Sequence, residues 1–124
     1  MLVRHAESAP GSPDELRTLT DAGRGQARAL GERLRREGIR PDAVLSSPLL
    51  RALQTAELLG FGEPEADERL APGMTAETVR AIVAERGGTV VVVGHQPDCS
   101  RIAGALTDGV EPPFPPGGVA VIDL

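Results

Sequence analysis

The chain has 124 residues, of which 40% are hydrophobic and 25% are charged, and its net charge at pH 7 is −5. These values predict a globular chain with one hydrophobic core and exclude an intrinsically disordered protein. The acidic balance and the aromatic content of 2% argue against a nucleic-acid-binding protein, which needs positive charge for phosphates and aromatic rings for base stacking.

The remaining composition predicts a cytoplasmic protein. The single cysteine, Cys99, excludes an intramolecular disulfide and fits a reducing compartment. Arg4 interrupts the N-terminal apolar run, so no signal peptide is predicted, and no apolar stretch is long enough for a transmembrane helix. All 13 basic residues are arginine, which binds phosphate bidentately. Position along the chain must therefore distinguish functional arginines from solvated ones.

The first predicted strand ends in a cation and an imidazole. The apolar residues 1–3 predict a buried strand, and Arg4 and His5 follow it directly. Residues 10–14 contain proline and glycine and predict a loop. Ligands of α/β proteins bind at the carboxyl ends of the strands, so Arg4 and His5 are candidates for a functional site.

A long helix is predicted between Thr20 and Gly38. Thr20 is a favourable N-cap, apolar residues recur at helical spacing, and Gly38 supplies the end. Gly23 and Gly31 lower the helix propensity of this segment. We expect their compensation to be close packing against the sheet.

The next strand and helix bring a third candidate, Arg51. A strand is predicted over residues 43–45, followed by a helix with Ser47 as N-cap and Pro48 as first residue. Arg51 then lies in or next to the first turn. Because a helix N-terminus carries partial positive charge, a bound anion would explain a cation at this place.

The rest of the chain continues the alternation of strands and helices. Residues 60–73 predict an irregular connection with a short edge strand near 65–67, and a helix follows Thr75. The β-branched run 89–93 predicts a central strand that ends in Gly94-His95. A further helix and an edge strand within 118–123 complete an α/β three-layer sandwich, with a mostly parallel sheet and helices on both faces. We expect residues 1–124 to form a single domain.

Four groups of residues, in this order, resemble the histidine phosphatase superfamily. They are Arg4-His5-Ala6-Glu7, Leu19-Thr20 with Gly23 and Gln26-Ala27, Ser47-Pro48 with Arg51-Ala52 and Gln54-Thr55-Ala56, and Val93-Gly94-His95 with Pro97. The short chain and the segment 112–114 are similar to its small SixA-like phosphohistidine phosphatases. The resemblance implies a phosphoglycerate mutase-like fold and a phosphatase that needs no metal or other cofactor.

By this resemblance His5 is phosphorylated during turnover, and Arg4, Arg51 and His95 bind the phosphoryl group. The side-chain chemistry agrees, because a transferring phosphoryl group spreads negative charge over oxygens that guanidinium groups stabilise. Neighbouring cations keep His5 neutral for attack, and a covalent intermediate divides one displacement into two easier ones. The backbone after His95, beginning at Gln96, opens a helix and offers N–H donors to the same anion.

The proton donor of the wider superfamily has no clear counterpart. The position of its glutamate in mutase-like members corresponds to Pro72, and that of its aspartate in acid phosphatases corresponds to Gln96. Asp98 and Glu7 are the candidate substitutes, and Glu68 is a third carboxylate. A general acid contributes about 10²–10⁴-fold, and a leaving alkoxide needs it more than a leaving imidazole does. The sequence therefore favours phosphohistidine as the substrate.

The expected partner is a phosphorylated protein of the phosphorelay or phosphocarrier type, and the expected state is a monomer that binds neither nucleic acid nor membrane. Three alternatives stay open. They are a phosphatase for small phosphorylated metabolites, a phosphate-binding module without catalysis, and a metal site formed by His5, His95 and Cys99. The metal site is the least favoured, because zinc sites usually have a fuller ligand set.

Overall fold

The computed structural model describes all 124 residues and contains one five-stranded sheet. The strands are β1 (Leu2–Arg4), β2 (Ala43–Ser46), β3 (Glu65–Ala66), β4 (Val90–Gly94) and β5 (Val119–Ala120). The helices are α1 (Asp21–Arg36), α2 (Leu50–Leu58), α3 (Ala76–Arg86) and α4 (Asp98–Leu106), and short 3-10 turns cover Asp14–Leu16 and Glu68–Leu70. No helix combines the length and the apolar character that crossing a bilayer requires.

The sheet order is β3-β2-β4-β1-β5, with β5 antiparallel to β1 and all other pairs parallel. Strand β4 lies at the centre, and its valines are buried on both faces. Val91 and Val93 pack in one cluster with residues of α1 and α2, whereas Val90 and Val92 pack in another with residues of α3 and α4. The predicted α/β sandwich with a mostly parallel sheet is confirmed.

The register of β1, β2 and β4 brings three polar residues to one edge of the sheet. Arg4 pairs with Gly94, and the backbone N–H of His5 donates to the Gly94 carbonyl at 3.0 Å. The backbone N–H of Ser47 donates to the Val93 carbonyl at 3.0 Å. His5, Ser47 and the residue after Gly94 are therefore neighbours at the carboxyl ends of adjacent parallel strands.

Helix α1 depends on its glycines for a different contact from the one expected. A Cβ atom on Gly23 would overlap the backbone carbonyl of Glu7, and one on Gly31 would overlap that of Leu59. The expectation that these glycines pack against the sheet is wrong. They let α1 approach the loop after β1 and the C-terminal end of α2, which holds that loop in place.

Helix α2 begins later than predicted. Its first residue is Leu50 and not Pro48, and Leu49 is the N-cap. The Ser47 hydroxyl accepts a hydrogen bond from the Leu49 N–H at 3.2 Å in the turn before the helix. The predicted placement of Arg51 in the first turn of the helix is confirmed.

Candidate active site

A polar cleft of about 470 Å³ lies at the carboxyl ends of β1, β2 and β4. Apart from two prolines, the residues that line it are polar or charged. Its lining residues are Arg4, His5, Glu7, Ser8, Asp14, Arg17, Arg51, Pro72, His95, Gln96 and Pro116. The structure thus brings Arg4, His5, Arg51 and His95 together, although up to 91 positions separate them along the chain.

The His5 imidazole is oriented by a short hydrogen bond. Its Nδ1 atom lies 2.7 Å from the Ala6 carbonyl oxygen. Because a carbonyl oxygen only accepts, Nδ1 carries the proton and Nε2 keeps a free lone pair. Burial, Arg51, Arg4 and Arg17 lower the pKa of His5, and the bond to Ala6 opposes this shift. The neutral imidazole required for nucleophilic attack is therefore the favoured form at neutral pH.

His95 faces His5 across the cleft, with 5.2 Å between the ring centroids and an angle of 58° between the planes. Only 4% of its surface is exposed. Burial, followed by the charges of His5 and Arg51, lowers the pKa of His95 to about 4. Its Nε2 atom lies 2.7 Å from the Ser47 hydroxyl oxygen, whereas its Nδ1 atom is buried without a partner.

Two guanidinium groups are held by other parts of the chain. Arg4 Nη1 donates to the Phe114 carbonyl at 2.8 Å. Arg51 is 6% exposed, and its Nη1 and Nη2 atoms donate to the backbone oxygen and to Oδ2 of Asp14 at 2.9 and 3.2 Å. The Nε atoms of Arg4 and Arg51 are both buried without a partner.

All of the buried side-chain polar atoms that lack a hydrogen-bond partner belong to this cleft. They are Arg4 Nε, Arg51 Nε and His95 Nδ1. An unsatisfied buried polar group costs about 1–3 kcal/mol, so native proteins retain few of them. The guanidinium nitrogens can only donate, and all three atoms lie on residues that line the same space. The arrangement suits a bound oxyanion.

Sequence reasoning missed two residues of the cleft, Asp14 and Arg17. Arg17 Nη1 pairs with Asp14 Oδ1 at 3.0 Å, and Arg17 Nη2 donates to the Ser8 hydroxyl at 2.9 Å. The hydrogen bond from Arg17, followed by that from Arg51, lowers the pKa of Asp14. The nearest anionic partner of Arg51 is thus this carboxylate. The only signal in the sequence was an opposite-charge pair three residues apart in the loop after β1.

The candidate acids are placed very differently. Asp98 is 2% exposed and does not line the cleft, because Oδ2 accepts from the Gly73 N–H at 2.7 Å and Oδ1 pairs with Arg101 at 2.5 Å. This position contradicts its predicted role as the substitute acid. Glu7 does line the cleft, and its Oε1 accepts from the Thr20 hydroxyl at 2.8 Å. Glu7 as the acid stays a prediction.

The side chains of two further candidate residues make their contacts outside the cleft, and the predicted phosphate binding at Gln96 stays a prediction. Gln96 lines the cleft. Its side-chain amide donates to the Ser100 hydroxyl at 2.7 Å and accepts from the Ser100 N–H at 2.9 Å, so both polar atoms of the side chain bond α4. Cys99 is fully buried in the core, where burial, followed by Asp98, raises the pKa of its thiol to about 12. That position contradicts the alternative in which Cys99 joins the histidines in a metal site.

Comparison with known proteins shows the family to which this chain belongs. The sequence model of the histidine phosphatase superfamily (branch 1) matches residues 1–72. An uncharacterised protein from Mycobacterium tuberculosis is 35% identical, with 97% of this chain and 85% of that protein covered. The phosphohistidine phosphatase SixA from Escherichia coli is 29% identical, with 99% and 83% covered.

A solved structure agrees with these relatives. The protein histidine phosphatase SixA complexed with tungstate superposes with a TM-score of 0.84 at 27% identity, over 94% of this chain and 81% of that one. The sequence match covers more than half of the chain and includes His5 and Arg51. The chain therefore belongs to the histidine phosphatase superfamily and is a SixA-like phosphatase.

Proposed function

We propose that this phosphatase hydrolyses phosphohistidine on a protein through a covalent phosphohistidine intermediate on His5. The observation that carries the proposal is the convergence of three unpartnered buried nitrogens around the cleft that also contains the His5 nucleophile. The nitrogens belong to Arg4, Arg51 and His95. Such an arrangement is complementary to the charge that a transferring phosphoryl group develops.

In the first step the lone pair of His5 Nε2 attacks phosphorus, and the P–N bond to the substrate ring breaks. The substrate ring reacts with a proton already on its other nitrogen, so it leaves as neutral imidazole. The Nε atoms of Arg4 and Arg51 and the Nδ1 atom of His95 hold the phosphoryl oxygens during transfer. In the second step water attacks the phosphorus, the bond to His5 Nε2 breaks, and inorganic phosphate leaves. The proton on His5 Nδ1 stays hydrogen-bonded to the Ala6 carbonyl oxygen throughout, which preserves the orientation of the ring.

The substrate class is supported by the two positions where the wider superfamily carries its acid, which are Pro72 and Gln96 here, although Glu7 lines the cleft. Pro72 lines the cleft where mutase-like relatives carry a glutamate, and Asp98 is bonded elsewhere. A leaving imidazole needs protonation less than an alkoxide does, so such a site suits a phosphoramidate. The relative SixA is named a phosphohistidine phosphatase, which supports the same class. A phosphorelay or phosphocarrier protein would supply this substrate.

The test is a rapid-quench experiment with a ³²P-phosphohistidine carrier protein. We expect label to appear on the enzyme before phosphate is released, with the acid lability of a phosphohistidine. His5→Ala should lose both the label and the turnover while keeping the circular dichroism spectrum of the parent. Normal turnover by His5→Ala would exclude His5 as nucleophile.

The same assay separates the alternatives. We expect kcat/KM for the phosphohistidine protein to exceed that for alkyl phosphates by about 10²–10⁴-fold, the usual contribution of a general acid. Equal or better turnover of small phosphorylated metabolites would favour a metabolite phosphatase. Phosphate binding without any labelling of His5 would identify a binding module.

A further inference from the structure

Ser47 is a buried hydroxyl at the back of the candidate active site. It is completely inaccessible to solvent and does not line the cleft. Its oxygen lies 2.7 Å from His95 Nε2 and accepts a hydrogen bond from the Leu49 N–H at 3.2 Å. The turn that delays the start of α2 by two residues places the hydroxyl in this position.

Of the two neutral tautomers of His95, only one gives the Ser47 proton an acceptor. A serine hydroxyl has one proton to donate and two lone pairs. Leu49 occupies one lone pair, and His95 is the only other partner of the oxygen. If His95 Nε2 carried a proton and donated it, the Ser47 proton would be buried without an acceptor, which proteins avoid. Ser47 must therefore donate to an unprotonated Nε2.

The tautomer of His95 also decides whether its Nδ1 atom can donate a hydrogen bond to the cleft. Burial lowers the pKa of His95 to about 4, so at neutral pH the ring carries one proton. With Nε2 accepting from Ser47, that proton is on Nδ1, the atom that is buried without a partner. The opposite tautomer would turn a nitrogen lone pair toward the phosphoryl oxygens and repel them.

We infer that Ser47 is a positioning residue that holds His95 in the tautomer with its proton on Nδ1, so that this nitrogen donates to the phosphoryl group. The inference rests on the proposed function for its purpose, but the tautomer itself is a property of the free protein. Ser47 touches neither substrate nor phosphate and acts only through His95.

Histidine ¹⁵N NMR tests the tautomer directly, and the chain has only two histidines. Protonated and unprotonated ring nitrogens differ widely in ¹⁵N chemical shift, and a His95→Gln variant assigns the two rings. At pH 7.5, we expect wild-type His95 to show a protonated Nδ1 and an unprotonated Nε2, with and without inorganic phosphate. A protonated Nε2, or rapid averaging between the two forms, would overturn the inference.

A pair of adjacent serines supplies the matched variants. Ser47→Ala should lose the single tautomer and bind inorganic phosphate roughly tenfold more weakly, the effect of one hydrogen bond to a charged group. Ser46 is also fully buried, but its hydroxyl donates to the Ser47 carbonyl and not to His95. Ser46→Ala should therefore keep both the tautomer and the phosphate affinity. Equal losses in the two variants would indicate a general packing effect and refute the positioning role.

The outcome is independent of the proposed function. If His5 is never labelled by a phosphohistidine protein but His95 shows the Nδ1 tautomer, the proposed reaction fails and the role of Ser47 in binding phosphate survives. If His5 is labelled and His95 carries its proton on Nε2, the reaction stands and the inference about Ser47 fails.

Discussion

Replacing Arg51 by methionine should separate catalysis from stability. The guanidinium group is 6% exposed, has an unpartnered Nε atom and uses its far end to bond Asp14. Methionine keeps most of the side-chain volume but removes the charge and every donor. We expect Arg51→Met to fold normally and to lose most of its phosphatase activity.

The magnitude follows from the hydrogen bond that is lost. One bond from Arg51 Nε to the phosphoryl group, worth about 1.5–3 kcal/mol because the partners are charged, corresponds to a fall in kcat/KM of about 10–10²-fold. The ion pair with Asp14 contributes little to folding, because the Asp14 side chain is 60% exposed. The free energy of unfolding should thus change little.

The variant should also change the pH dependence. In the proposed mechanism His5 attacks in its neutral form, so activity should fall as the pH drops through the pKa of His5, which burial and Arg51 hold below 6.5. Removing Arg51 raises that pKa, and the acid limb of kcat/KM should move to higher pH.

The assay is steady-state hydrolysis of p-nitrophenyl phosphate from pH 4 to pH 8, with urea unfolding as the measure of stability. Arg28→Met is the control, because Arg28 is exposed on α1 and its replacement removes the same formal charge. If Arg51→Met retains kcat/KM within about tenfold of wild type, less than one such bond, Arg51 does not hold the transferring group.

Three further predictions test the surroundings of the site. Asp14→Asn removes the charge that pairs with Arg51, and kcat/KM for p-nitrophenyl phosphate should fall about tenfold. An unchanged kcat/KM would show that Asp14 does not position Arg51. Asp98→Asn should lower the free energy of unfolding by about 1–3 kcal/mol with little effect on turnover, whereas a selective loss of alkyl phosphatase activity would restore it as the acid. From pH 7 to pH 5 the wild type should lose about 2 kcal/mol of stability through His95, because its pKa rises from about 4 to 6.5 on unfolding and the unfolded chain takes up the proton. In urea titrations His95→Gln should lack this loss, and equal pH dependence in both proteins would contradict the neutral, buried ring.

The sequence predicted the architecture because its signals were local and periodic. The apolar runs before His5 and His95 defined two buried strands, and the alternation with helices required those strands to be parallel. Parallel strands share one carboxyl edge, so two imidazoles distant in the chain had to become neighbours. Arg51 followed from the same principle, because its helix starts where another strand ends. The four central residues of the cleft could therefore be predicted without coordinates.

Only the tertiary structure decided which groups surround them. Asp14 and Arg51 are 37 residues apart and Ser47 and His95 are 48 apart, and each pair meets through the path of a loop or turn. Asp98 follows His95 closely in the chain, yet its carboxylate accepts a hydrogen bond from the Gly73 N–H and does not line the cleft. Residue spacing determines where a strand or helix ends, because backbone geometry is regular. The direction of a side chain beyond that end depends on long-range packing and hydrogen bonds, which no local pattern contains.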